Sequence, residues 1–211
     1  NYPVVQADNS YYLRRGFDRL YSTAGTLFLD ERCALPRQNA AGTANALIYG
    51  HNTASGSMFS QLLNYADKAF YTAHPTFQFD TLYEEGTWQV AAVLRTELGA
   101  DALPTILFDA STQEEWQQRV DAILELSLYD TGVVPQYGDQ LLTLSTCGVA
   151  TVTTNSRFAV LAVKIKLRCI YEHSGANHWS CLPAVLGGSG FAASCGCPPG
   201  LPRCAGCAFA W

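Results

Sequence analysis

The sequence has little charge, no basic patch and no long apolar run. Only 15% of the 211 residues are charged, and the 13 Lys and Arg are outnumbered by 18 Asp and Glu, which gives a net charge of −5. Because phosphate binding needs clustered basic residues, this balance argues against nucleic acid as a partner. No apolar run reaches the roughly 18 residues that a transmembrane helix requires.

Cysteine is scarce over most of the chain, and methionine does not begin it. Of the eight cysteines, Cys33, Cys147 and Cys169 are scattered over the first 170 residues, and the other five lie between 181 and 211. The main body is therefore not a disulfide scaffold. Asn1 already begins a strand-like segment, so we expect the natural chain to extend upstream, where a signal peptide or membrane anchor would lie.

Hydrophobic residues make up 48% of the chain, which at this length is enough for one substantial core. Amphipathic spacing predicts a helix over 58–71, and a capping box at Ser111–Glu114 predicts a second helix over 112–127. Strands are predicted at 1–5, 25–30, 46–49, 76–82, 87–98, 141–147 and 157–167. Since the helices do not alternate with the strands, we predict a mainly β protein, a mostly antiparallel barrel of about seven to eight strands with two inserted helices.

Three strand ends carry side chains that are suited to catalysis. Cys147 ends an apolar strand just before Gly148, although a lone cysteine in such a place is more often an inert, buried thiol. Arg157 begins the last strand, where a guanidinium needs a partner: an acidic side chain, a substrate carbonyl or an anionic intermediate. His51 follows a strand within a Gly-His-Asn turn and is the best candidate base, although turn histidines are commonly structural.

The order His, Cys, Arg differs from that of the papain-like and caspase-like cysteine hydrolases. Residues 1–168 instead resemble the sortases, class B in particular. The resemblance rests on six segments in the same order, namely Asn1–Gln6, Tyr49–Asn52, Gly56–Phe59, Leu128–Val133, Thr143–Cys147 and Arg157–Phe158. The chain departs from the family at Val149, where class B members often have an acidic residue, and we expect the family's N-terminal helices and anchor to lie upstream of Asn1.

The resemblance implies a closed, eight-stranded barrel that acts as a cysteine transpeptidase. Cys147 would be the nucleophile, His51 the general acid and then the general base, and Arg157 the group that holds the substrate carbonyls and the oxyanion. Neither a metal nor a cofactor is required. The predicted substrate-binding residues are Asn52, Ser145 and Thr146.

The same resemblance implies partners and a location. The enzyme would cleave a C-terminal sorting motif of surface proteins at threonine. It would then transfer the acyl group to an amine of a cell-wall precursor or of a pilin. We expect it to act at the extracellular face of the cell membrane, where an upstream segment of the full-length protein would anchor it.

The composition changes near Cys169. Residues 169–211 are rich in Gly, Cys and Pro, and we predict that this tail is disordered or foreign to the fold. An alternative is a four-thiolate zinc site formed by Cys195, Cys197, Cys204 and Cys207. Two other functions also stay open: a catalytically inactive barrel that binds sorting-like peptides, and a cysteine-rich surface module in which the tail is the functional part.

Overall fold

The computed structural model describes residues 1–37, 42–97, 112–147, 156–172 and 178–183. The chain divides into two compact units, Asn1–Lys164 and Ile165–Trp211. In its described residues, the first unit contains seven strands: β1 Val4–Gln6, β2 Leu27–Leu29, β3 Asn45–Tyr49, β4 Thr76–Gln78, β5 Thr87–Glu97, β6 Leu141–Cys147 and β7 Ser156–Lys164.

These seven strands form one sheet in the order β1-β2-β3-β6-β7-β5-β4. The pairs β1–β2 and β3–β6 are parallel, and the other four neighbouring pairs are antiparallel. The sheet curls into a half-barrel, and its two edge strands within the described residues are β1 and β4. The prediction of a mainly β, mostly antiparallel fold with seven to eight strands is confirmed.

Few helices accompany the sheet. Among the described residues, two are 3₁₀ helices, Tyr11–Arg14 and Ser60–Ala66, and two are α-helices, α1 Lys68–Ala73 and α2 Gln113–Glu125. Within the described part of the chain, none is long and apolar enough to cross a membrane.

The two predicted helices both occur, with different boundaries. The one predicted over 58–71 is divided, because Asp67 has an extended backbone and its carboxylate accepts a hydrogen bond from the Ala69 amide, which begins a new helix there. The helix predicted over 112–127 is α2. Its N-cap is Thr112, one residue later than the predicted Ser111, and the Thr112 hydroxyl accepts from the Glu115 amide.

The central strands are buried because both faces of the sheet are covered. On one face, α2 packs against Ala159 and Leu161 with its buried side chains Trp116, Val120 and Ile123. On the other face, the Ser60–Ala66 helix packs against Phe158 and Val160 with Leu62 and Tyr65. All side chains from 158 to 162 are consequently buried, which differs from the alternation expected of a sheet with one face in water.

The second unit contains a two-stranded antiparallel ladder, β8 Leu167–Glu172 and β9 His178–Pro183. Its register places Cys169 opposite Cys181. The last strand predicted for the barrel, 157–167, ends at Lys164 instead. That the tail is disordered or foreign to the fold stays a prediction, and the four cysteines of the zinc alternative, Cys195, Cys197, Cys204 and Cys207, lie outside the described residues.

Candidate active site

The topology brings three strand ends to one edge of the sheet. Strands β3 and β6 are parallel, so both end at this edge, and β7 begins there because it is antiparallel to β6. His51 comes two residues after the end of β3, and Cys147 is the last residue of β6. Arg157 is the register partner of Cys147 in the β6–β7 ladder. His51 and Arg157 are 106 residues apart in the sequence. The sheet nevertheless brings all three predicted catalytic positions to the same edge.

A buried polar contact helps to hold this register. The Thr143 hydroxyl on β6 donates a hydrogen bond of 3.0 Å to the Asn45 side-chain oxygen on β3, and both residues are fully buried. Because a buried polar group without a partner costs roughly 1–3 kcal/mol, a shift of β3 along β6 would be penalised. The pairing between the strand before His51 and the strand that ends at Cys147 is therefore specified by more than apolar contact.

The turn that carries His51 is held on three sides. The Gly50 amide donates to the Ser145 carbonyl on β6 at 3.1 Å, and the Phe59 amide donates to the His51 carbonyl at 3.0 Å. A Cβ on Gly50 would lie 2.4 Å from a Leu27 methyl carbon and 2.6 Å from the Phe59 ring. Only glycine fits this close approach, so the imidazole projects from a fixed backbone.

A cleft of about 220 Å³ opens at this edge of the sheet. Four of the predicted site residues line it, namely His51, Ser145, Thr146 and Arg157, and Asn52 is not among its lining residues. Asn52 instead forms an isolated β-bridge with Met58, which closes the loop that follows the histidine. The remaining lining residues are Asn9, Leu13, Phe28, Tyr49 and Gly50.

The cleft is lined by both charged and apolar groups. The Arg157 side chain is half-buried, and its Nη1 donates to the Ser156 carbonyl at 3.3 Å. The Nε2 atom of His51 lies 2.8 Å from the main-chain oxygen of Leu13. The Thr146 hydroxyl is buried and finds no hydrogen-bond partner among the described residues. A buried hydroxyl in this state favours a ligand that can supply the missing bond.

A buried carboxylate lies behind the cleft wall. Asp30 is completely buried, and its oxygens accept hydrogen bonds from the Arg32 backbone amide and guanidinium, each at 2.9 Å. The Tyr49 hydroxyl donates to it at 2.9 Å and the Asn9 side-chain amide at 3.3 Å. Since Tyr49 and Asn9 also line the cleft, this carboxylate fixes two of its walls.

The titration behaviour of this cluster follows from its contacts. Burial alone would raise the pKa of Asp30, but the hydrogen bonds from Arg32 and from the Tyr49 hydroxyl outweigh it, so the pKa lies below the usual range. Burial, together with the adjacent Asp30 charge, raises the pKa of Tyr49. Tyr49 therefore remains a neutral hydrogen-bond donor to an ionised carboxylate at neutral pH.

We expect Asp30→Asn to lower the free energy of unfolding by roughly 2–4 kcal/mol at neutral pH, because all neighbouring groups are donors and an amide would direct its own NH₂ at some of them. The pKa of Asp30 is lower in the folded protein than in the unfolded chain, so its stabilisation is present above about pH 4 and is lost as the pH falls below that value. The stability difference between wild type and variant, measured by urea unfolding, should therefore shrink in acid.

The matched control for this experiment is Glu31→Gln, which removes the neighbouring carboxylate at an exposed position. It should change stability by less than about 0.5 kcal/mol. If the free energies of unfolding of wild type and Asp30→Asn differed by the same amount from neutral to strongly acidic pH, this account of the buried charge would be wrong.

Several lining residues were not predicted from the sequence. Asn9 lies in a turn and Leu13 in the one-turn 3₁₀ helix that follows it, and neither stands in an amphipathic pattern, so no sequence signal places them beside His51. Tyr49 precedes the Gly-His-Asn turn, but its place in the wall depends on the hydrogen bond from its hydroxyl to Asp30. The sequence signal that could have indicated this cluster is Asp30, a carboxylate directly after an apolar strand, because a buried charge requires hydrogen-bond partners.

No family model matches the chain. Comparison with individual proteins and solved structures, however, finds relatives that are sortase B proteins. The chain is 34% identical over 148 residues to sortase B of Listeria monocytogenes, an alignment that covers 70% of this chain and 57% of that protein. Among solved structures, sortase B from Bacillus anthracis is 35% identical with a TM-score of 0.68, over 79% of this chain and 73% of that one. The Staphylococcus aureus sortase B–substrate complex is 32% identical with a TM-score of 0.70, over 79% and 74%.

Proposed function

This chain belongs to the sortase B family, and we propose that it is a cysteine transpeptidase acting on sorting motifs. The observation that carries the proposal is the meeting of His51, Cys147 and Arg157 at one sheet edge beside an open cleft. The chain spans 57% of the length of the Listeria relative.

In the first half-reaction, the Cys147 thiolate attacks the carbonyl carbon of a threonine in the bound motif, and a carbon–sulfur bond forms. The oxygen of the tetrahedral intermediate gains negative charge, which the Arg157 guanidinium at the cleft wall stabilises. His51 gives a proton to the leaving amine, the carbon–nitrogen bond breaks, and a thioester to Cys147 remains.

In the second half-reaction, an acceptor amine attacks the thioester carbonyl. His51 now takes a proton from that amine, the carbon–sulfur bond breaks, and the thiolate of Cys147 is restored. The amine belongs to a cell-wall precursor or a pilin, and the donor is a surface protein that carries the sorting motif. The sortase family is cell-surface associated, which supports a site of action at the extracellular face of the membrane.

Substrate contacts are assigned to the cleft wall. Ser145 is buried at the edge, and the buried Thr146 hydroxyl has no partner among the residues that the structure describes, which supports a hydrogen bond to the bound peptide. Asn52 remains a predicted contact, although it lies outside the set of residues that line the cleft.

The proposal is tested by incubating the protein with a panel of threonine-containing sorting peptides and an excess of triglycine or of a lysine derivative. Mass spectrometry should find the peptide cut after threonine and joined through its new carboxyl end to the added amine. The matched control is each peptide with threonine replaced by alanine. Peptides that bind but are never cut would instead support the inactive barrel, and cleavage elsewhere would contradict the proposed threonine specificity.

A further inference from the structure

The imidazole of His51 makes one contact that the proposed mechanism does not use. Its Nε2 lies 2.8 Å from the main-chain oxygen of Leu13, which is 38 residues away in the sequence. We propose that this carbonyl is a positioning group, which takes the Nε2 hydrogen and leaves Nδ1 as the nitrogen that exchanges protons during the reaction. The inference rests on the proposed function, in which His51 is the acid and base.

The chemistry of the contact determines which nitrogen carries the hydrogen. A carbonyl oxygen only accepts hydrogen bonds, so Nε2 must be the donor. Neutral His51 then has its single ring hydrogen on Nε2, and imidazolium has hydrogens on both nitrogens. In either state the Leu13 oxygen is satisfied, and only Nδ1 gains or loses a proton.

The proton balance of both half-reactions can be met at Nδ1 alone. When the thioester forms, the proton on Nδ1 moves to the leaving amine, and neutral imidazole remains with its hydrogen on Nε2. When the thioester is resolved, Nδ1 takes a proton from the acceptor amine. The hydrogen bond to Leu13 is kept throughout, so the ring does not need to rotate between the two steps.

The Leu13 carbonyl is held in place by the turn that precedes it. Leu13 lies in the 3₁₀ helix Tyr11–Arg14, and its amide donates to the Ser10 carbonyl at 3.2 Å. The Asp8 carboxylate accepts from the amides of Ser10 at 2.8 Å and of Tyr11 at 2.9 Å, which caps the start of this turn. The turn is thus built by its own hydrogen bonds, independently of the histidine.

A second element lies close to the same carbonyl. Gly25, just before β2, has a φ of +60°, and a Cβ there would lie 2.8 Å from the Leu13 oxygen and 2.7 Å from the Tyr12 oxygen. The Thr26 amide donates to that Tyr12 oxygen at 3.2 Å. The Leu13 oxygen is therefore close to both the Gly25 backbone and the His51 ring, and glycine is the residue that permits the approach of the Gly25 backbone.

The direct test needs no substitution in the measured protein. ¹⁵N NMR of the wild-type protein at alkaline pH, where imidazole is neutral, distinguishes a ring protonated on Nε2 from one protonated on Nδ1. The His51 signals are assigned by their absence in His51→Gln. We expect the Nε2-protonated tautomer for His51, and a ring protonated on Nδ1 would overturn the proposal.

The functional test compares Gly25→Ala with Gly132→Ala. Gly132 has a similar φ of +73°, but a Cβ there would meet nothing within 4 Å, so this control reproduces the backbone strain without touching Leu13. Gly25→Ala should lower kcat about 10–100-fold, since a misplacement of a catalytic group by about 1 Å can cost that much, with a change in KM of less than about threefold. Gly132→Ala should leave both within about threefold of wild type.

Two outcomes of the comparison count against the inference: equal kcat values for the two glycine variants, or a loss in Gly25→Ala that lies in KM alone. In Gly25→Ala we also expect the ¹⁵N spectrum of His51 to show both neutral tautomers. Failure of the proposed function is distinguishable, because a wild-type protein that joins no peptide to any amine would still report its His51 tautomer.

Discussion

Cys147→Ala should reduce the cleavage of every sorting peptide to the background rate. The thioester cannot form without the thiol, and neither His51 nor Arg157 can supply a substitute nucleophile. Removal of the nucleophile from enzymes of this kind lowers kcat on the order of 10⁶-fold, which is beyond the range of most assays. The measurement is the rate of peptide cleavage with and without the acceptor amine, together with a mass search for the acyl-enzyme.

The control for this variant is Cys33→Ala, because Cys33 is a buried cysteine within the same unit. Burial raises the pKa of the Cys33 thiol, so it stays protonated and is a poor nucleophile. We expect Cys33→Ala to cleave peptides within about threefold of wild type, because Cys33 does not line the cleft and the change removes one small buried atom with its weak hydrogen bonds to the Leu47 amide and the Asn45 carbonyl. Turnover above background in Cys147→Ala would reject Cys147 as the nucleophile, and with it the proposed mechanism.

Arg157→Lys should lower kcat/KM for sorting peptides by about 10²–10³-fold, even though the positive charge is kept. A guanidinium presents several N–H groups in a planar fork and can hold a carbonyl and an oxyanion at the same time, whereas an ammonium is a point charge on a flexible stem. Arg157 is half-buried at the cleft wall, so the shorter reach of lysine would also leave its charge poorly placed. Steady-state kinetics over a range of peptide concentrations measures the change.

The matched control is Arg119→Lys on α2. Arg119 pairs with Glu115 one turn away, a contact that lysine can also make, and it does not line the cleft. We expect this variant to retain kcat/KM within about twofold and to lose at most about 0.5 kcal/mol of stability. If Arg157→Lys behaved like Arg119→Lys, Arg157 would be a structural ion-pair residue, which is the alternative that the sequence left open.

The catalytic candidates could be predicted because each is marked by local chemistry. Cys147 ends an apolar strand, Arg157 begins one, and His51 follows one within a glycine-containing turn, so short segments were sufficient to single them out. The buried apolar face of α2 could be predicted in the same way, because helical spacing depends only on residues that are close in the sequence. The helix predicted over 58–71 was less well predicted, since the cap at Asp67 interrupts an apolar period that continues across it.

The sequence by itself therefore determined the mainly β class, the positions of most strands, the covering helix and the three residues at the strand ends. Only the tertiary structure decided how those ends meet, because the parallel pairing of β3 with β6 joins segments such as Asn45 and Thr143, 98 residues apart. It also decided what surrounds His51. A main-chain oxygen such as that of Leu13 carries no sequence signature, since every residue has one, and its role arises only where the folded chain places it beside the ring.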